Sequence, residues 1–165
     1  MTEIKQALIT GGRLGSGTNL AEMRGVTIHD TGNKNPGAGA MWHGRYLKSD
    51  YAAEREASWH FAVDDREIVQ SIPIGKTSWH CGKRAGNTTT VSIEICVNSD
   101  SDIGRATENA AELAALLLRD AGLPVDGHLF QHHDWSGKNC PAQLRAGNPC
   151  TWDEFVGMVK SYYEA

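Results

Sequence analysis

Val91-Ser92-Ile93-Glu94-Ile95-Cys96 alternates apolar and polar side chains with a period of two, the pattern of a strand with one buried face and one free for chemistry. Val26-Thr27-Ile28-His29 and residues 58–63 repeat it, so His29, His60 and Glu94 fall on the polar-alternating sides of three strands. Residues 67–72 read as the return arm of a hairpin across Asp64-Asp65. Helical segments are interleaved with these strands. Residues 38–55 read as one helix bearing Met41, Leu47 and Ala52. Residues 106–121 carry a broad stripe of Ala110, Leu113, Ala114, Leu117 and Leu118, with Gly122 placed for a left-handed cap and Pro124 barring continuation. A last helix opens at Thr151, with Glu154 three residues on as its capping partner and Phe155, Val156, Val159 and Tyr162 on its buried side. Strands alternating with helices predict an α/β fold, and the glycine-rich run 11–17 reads as a surface loop.

A chain of 165 residues with 40% apolar content buries one substantial core, so residues 1–165 are expected to form a single domain. The net charge of −4 and the pI near 5.9 argue against a phosphate-binding surface and hence against nucleic acid as a partner. No stretch approaches the roughly 20 apolar residues that span a bilayer, and residues 1–6 lack the basic and apolar regions of a secretory signal. The expectation is a chain with no membrane partner, made without a signal peptide. Four cysteines are sparse for a disulfide scaffold, so Cys81, Cys96 and Cys150 read as small buried residues with free thiols.

The stretch Gln131-His132-His133-Asp134-Trp135-Ser136-Gly137-Lys138-Asn139-Cys140-Pro141 carries the densest chemistry. A histidine and a cysteine eight apart, joined by a histidine ending a distant strand, meet the ligand count and type of a catalytic zinc site with an open fourth position. Such a site is a hydrolase's tool. The competing reading makes Cys140 a nucleophile activated by a histidine, which needs a helix-borne cysteine, whereas Cys140 precedes a proline that begins a helix only after it. Glu94 sits on an otherwise apolar strand, where burying a carboxylate is costly unless something pairs with it. A general base tuned by burial upward and by a metal downward accounts for it, and the plainer alternative is an edge-strand glutamate facing solvent.

Taken in order, Val26 through Thr31, Ser58 through Asp65, Ser78 through Gly82, Val91 through Cys96 and His132 through Pro141 resemble the zinc N-acetylmuramoyl-L-alanine amidases of the type-2 amidase and peptidoglycan-recognition-protein superfamily, especially phage endolysin catalytic domains. The resemblance spans nearly the whole chain and implies a central mixed β-sheet flanked by helices. It assigns one zinc ion to His29, His132 and Cys140, and the family spacing selects His132 over His133. It gives Glu94 the role of general base and Lys138 that of oxyanion stabiliser, and it brings His60 and His80 to the cleft as substrate-binding or supporting groups, unless they merely pack beneath it. The family's tyrosine near the metal is replaced here by Trp59, which cannot usefully exchange a proton and leaves more weight on Glu94. Trp42, Trp79 and Trp135 are further candidates for stacking on sugar or peptide. The implied activity is hydrolysis of the bond between N-acetylmuramic acid and L-alanine in peptidoglycan by a monomeric phage or prophage endolysin, made in the cytoplasm of an infected or lysogenic bacterium and acting on the wall. The alternatives are a non-catalytic peptidoglycan receptor, which in this superfamily lacks the cysteine, and a cysteine-nucleophile wall hydrolase.

Overall fold

Alternation along the strands sorts their side chains onto the two faces of one six-stranded sheet. The computed structural model describes residues Met1 to Ala165. Strands β1 (Ile4–Gln6), β2 (Gly25–Asp30), β3 (Phe61–Val63), β4 (Ile68–Gln70), β5 (Thr90–Ile95) and β6 (Leu129–Gln131) lie in the order β1-β4-β3-β5-β2-β6. The sheet is mixed: β3 and β4 pair antiparallel as the expected hairpin, and every other pair is parallel. Helices α1 (Ala40–Tyr46), α2 (Asp50–Arg55), α3 (Arg84–Asn87), α4 (Ile103–Asp120), α5 (His132–Ser136), α6 (Ala142–Arg145) and α7 (Trp152–Glu164) complete the chain.

One face is apolar. Val26, Ile28, Phe61, Val63, Ile93 and Ile95 pack against the α4 stripe of Ala110, Leu113, Ala114, Leu117 and Leu118, and Phe155 and Val159 of α7 join the same core. Each leucine so buried is worth about 1.5–3 kcal/mol. Asp102 caps α4 by accepting from the Arg105 amide, and Thr151 and Glu154 form the expected reciprocal cap of α7. The other face carries Thr27, His29, Ser92 and Glu94 and is only partly covered, by a smaller core of Ala40, Leu47, Trp59, Ala62 and Val69.

Three departures from the sequence expectations have local causes. Residues 38–55 form two helices because Ser49 caps α2, accepting from the Ala52 amide at 3.2 Å, while the Arg13 guanidinium donates to the carbonyls of Lys48 and Ser49. The glycine-rich run is not wholly surface, since Leu14 buries its side chain in the smaller core. Residues 132–136, where patterning placed no helix, form a short one, its first turn closed by Asp134 Oδ2 accepting from the Gln131 amide at 2.7 Å. The hairpin turn is as expected: Asp64 Oδ1 accepts from the amides of Arg66 and Glu67, and its Oδ2 accepts from Ala40 at the start of α1.

Candidate metal centre and catalytic cleft

Parallel register gathers the site at the carboxyl ends of three neighbouring strands. His29 of β2 pairs with Glu94 of β5, and Ile28 pairs with Gln131 of β6, so the next residue, His132, emerges beside His29. Open parallel sheets characteristically place their ligands at this end. Cys140 arrives by a tight return: Gly137 takes a left-handed conformation at the end of α5, and the His133 amide donates to the Cys140 carbonyl at 3.0 Å.

His29 Nδ1 lies 3.1 Å from His132 Nδ1 and 3.8 Å from Cys140 Sγ, and the three donor atoms lie within 4.8 Å of one another. A tetrahedral zinc with nitrogen near 2.0–2.1 Å and sulfur near 2.3 Å separates two nitrogens by roughly 3.3 Å and nitrogen from sulfur by roughly 3.6 Å, so the spacing fits such an ion. Protonation fits as well. Burial holds His29 well below the usual imidazole range, with help from His80 and His132, and brings His132 down to about 4, so both present neutral rings. Burial, with the Glu94 charge adding to it, pushes the Cys140 thiol up to about 12. A buried thiol between two neutral imidazoles gives up its proton readily only to a cation.

Glu94 Oε1 stands 3.9 Å from His29 Nδ1, close to the donors but not among them. Burial, with the Asp30 charge adding to it and Lys138 opposing, raises its carboxyl to about 8. A cation held by the three donors would draw it back toward the acid range. Lys138 is exposed at the cleft rim, and its charge also depresses His29 and His132.

The cleft has a volume of about 490 Å³ and is lined by all five of these residues. Trp42, Tyr46 and Trp59 form one wall as a stacked series, with ring centroids 5.6 and 6.2 Å apart, and Trp79 lines the cleft as well. Trp135 does not line it and instead donates its indole N–H to Thr27 at 3.0 Å. His80 lines the cleft with its Nδ1 2.9 Å from His29 Nε2. His60, for which both a cleft-lining and a packing place were open, lies beneath the cleft. One register step below Glu94, it spends Nδ1 on Ser92 and Ser78 and Nε2 on the Lys76 carbonyl, leaving no nitrogen free for a ligand. His43 of α1, which sequence patterning did not single out, also lines the cleft, its Nδ1 tied to the Gly39 carbonyl at 2.8 Å. A lone histidine in a short helix carries no sequence signal for that placement.

Against known proteins, residues 19–143 match the Amidase_2 family, described as N-acetylmuramoyl-L-alanine amidase. This chain belongs to the N-acetylmuramoyl-L-alanine amidase family. Among its relatives, the amidase XlyA of Bacillus subtilis (strain 168) is 40% identical over 136 residues, covering 81% of this chain and 43% of XlyA. The amidase CwlH of the same organism is 37% identical over 139 residues, covering 82% of this chain and 52% of CwlH. The chain thus spans about half the length of the curated relatives it matches. The solved catalytic domain of XlyA superposes with a TM-score of 0.85 at 36% identity, over 96% of this chain and 99% of that one. The match to an amidase catalytic domain thus covers the α/β sheet and the cleft together. All four cysteines of this amidase-family chain are free, three of them buried, and no helix is long and apolar enough to cross a membrane.

Proposed function

We propose that this chain is the catalytic domain of an endolysin that hydrolyses the amide bond between N-acetylmuramic acid and L-alanine in bacterial peptidoglycan, with one zinc ion held by His29, His132 and Cys140. The observation that carries the reading is a largely buried carboxylate, Glu94, 12% exposed and 3.9 Å from a cluster of two neutral imidazoles and a thiol at the floor of an aromatic-walled cleft. When bound, zinc supplies Lewis acidity that polarises a carbonyl and acidifies a water.

The chain's own groups divide the remaining work. Glu94 takes the proton of a water attacking the lactyl carbonyl, and its buried setting favours holding that proton until the C–N bond breaks. It then passes the proton to the departing amine of L-alanine, leaving a carboxylate on the glycan side. Lys138 places its ammonium at the rim, where negative charge develops on the carbonyl oxygen. Trp42, Tyr46 and Trp79 offer flat apolar surfaces to a sugar or peptide crossing the cleft. The thiol-nucleophile alternative is disfavoured by a Cys140 pushed up to about 12, because the thiolate is the attacking species. The receptor alternative gives no account of three converging donors beside a buried carboxylate. The domain is proposed to work as a monomer on the cell wall, released from the cytoplasm of an infected or lysogenic cell, with no nucleic-acid or membrane partner.

Digestion of purified walls tests this reading. Amidase action liberates L-alanine amino termini without new reducing sugar ends, stops on chelation and returns with added zinc. Reducing ends, or activity indifferent to chelation but lost to alkylation, would overturn it.

A further inference from the structure

Behind the metal-facing donors, a line of hydrogen bonds runs from His29 into the protein. His29 Nε2 lies 2.9 Å from His80 Nδ1, and His80 Nε2 lies 3.3 Å from both the Gly86 carbonyl and Thr90 Oγ1. Thr90 donates to the same carbonyl at 2.9 Å and meets Thr27 Oγ1 at 2.8 Å, where Trp135 Nε1 donates at 3.0 Å. His29, His80, Thr27 and Thr90 are all buried.

The ends of this line favour one placement of its protons. A backbone carbonyl only accepts, so His80 Nε2 carries hydrogen toward Gly86 and His80 Nδ1 is left bare. A bare Nδ1 takes a hydrogen from His29 Nε2, and His29 is left with its lone pair on Nδ1, the atom that faces His132 and Cys140. From the other end, an indole only donates. Trp135 therefore fills a Thr27 lone pair, Thr27 donates to Thr90, and Thr90 donates to Gly86. Every hydrogen then has an acceptor. The reverse tautomer sets the His80 Nε2 lone pair 3.3 Å from the carbonyl oxygen, can fill it only by diverting the Thr90 hydroxyl from its 2.9 Å bond to Gly86, and moves the His29 hydrogen onto the metal-facing nitrogen. Gly86 packs where no side chain fits: a Cβ there would collide with Cys81 Sγ and lie 2.8 Å from the Trp135 ring.

We infer that His80 is a positioning residue that locks His29 in the metal-binding tautomer, with the Gly86 carbonyl as its fixed reference. The inference rests on the metal-binding reading above, and two measurements separate the fates of the two. In the metal-free protein, long-range 1H–15N spectra should show His29 and His80 both protonated on Nε2. His29 protonated on Nδ1 would overturn the inference whether or not the protein takes up zinc. Zinc affinity, read by competition with a chromophoric chelator, should fall about 10- to 100-fold in His80→Ala. It should recover to within a few-fold of wild type in His80→Asn, whose side-chain carbonyl accepts where Nδ1 did. Equal affinity in wild type and His80→Ala, or no recovery in His80→Asn, would also overturn it. A wild type that holds the expected tautomers yet takes up no zinc would sink the metal reading and leave the positioning role standing. If His80→Ala does not fold, the spectra of the wild type and the affinity of His80→Asn decide.

Discussion

Replacing Glu94 by Gln should move stability and activity in opposite directions. The carboxyl is raised to about 8 chiefly by burial, against an ordinary value of 4.5. In the metal-free protein the folded state therefore holds a proton that the unfolded chain releases as pH rises through 4.5, and stability is lost between 4.5 and 8. At pH 7 the penalty has grown over about 2.5 pH units, or about 3 kcal/mol at 1.36 kcal/mol per unit. Gln keeps the shape and never ionises, so metal-free Glu94→Gln should be about 3 kcal/mol more stable at pH 7. That corresponds to roughly 6–12 °C in melting temperature, fading to no difference by pH 4. The same substitution removes the proton acceptor, and turnover of zinc-loaded protein should fall about 10²- to 10⁴-fold while zinc remains bound. Chemical denaturation of chelated protein across pH 4–8, paired with a muropeptide assay, reads both. A stability difference flat in pH would refute the buried-carboxyl argument, and near-wild-type turnover would refute the role as base.

Cys140→Ser should bind zinc at least 10-fold more weakly, because an alcohol does not surrender its proton as a thiol does, and full zinc occupancy of the purified variant by elemental analysis would contradict the assignment. Chelation should lower the melting temperature of the wild type, since an ion bound only by the native state stabilises it by roughly 4 kcal/mol at a thousandfold excess over its dissociation constant, and an unchanged melting curve would count against a resident metal. His60 is held at about 4 by burial, so below pH 6.5 the unfolded chain binds a proton that the native state refuses. Stability should therefore fall from pH 6.5 toward 4, and His60→Gln, though less stable overall, should show a slope smaller by up to about 1.4 kcal/mol per pH unit. Identical slopes in denaturation series of the two proteins would show that His60 does not titrate as its burial requires.

The parts of the fold visible in the sequence are those fixed by neighbours along the chain. The α4 stripe, the Thr151 and Glu154 cap and the Asp64 turn each need only residues within a few positions, and each appears where patterning placed it. The α1–α2 break escaped because its cause is shared with a distant group, the Arg13 guanidinium on the Lys48 and Ser49 carbonyls. Strands β1 and β6, three residues each, are too short to show a period and exist because the sheet supplies their partners.

Register explains the division within the site itself. Strand alternation places His29, His60 and Glu94 on one face of the sheet, yet a face is not a site: register sets His29 level with Glu94 and His60 level with Ser92, one step into the protein. That step separates a group at the cleft floor from one whose nitrogens are spent on Ser92, Ser78 and the Lys76 carbonyl. For His80 the decisive partner is 51 positions away, with the Gly86 carbonyl behind it, so its role follows from two approaches that no local pattern encodes. The cluster at the strand ends therefore depends less on any single motif than on the parallel pairing of β2 with both β5 and β6. A one-residue slip of β6 against β2 would carry His132 to the apolar face and leave two of the three donors, which is why the sheet's register and the metal centre must be specified together.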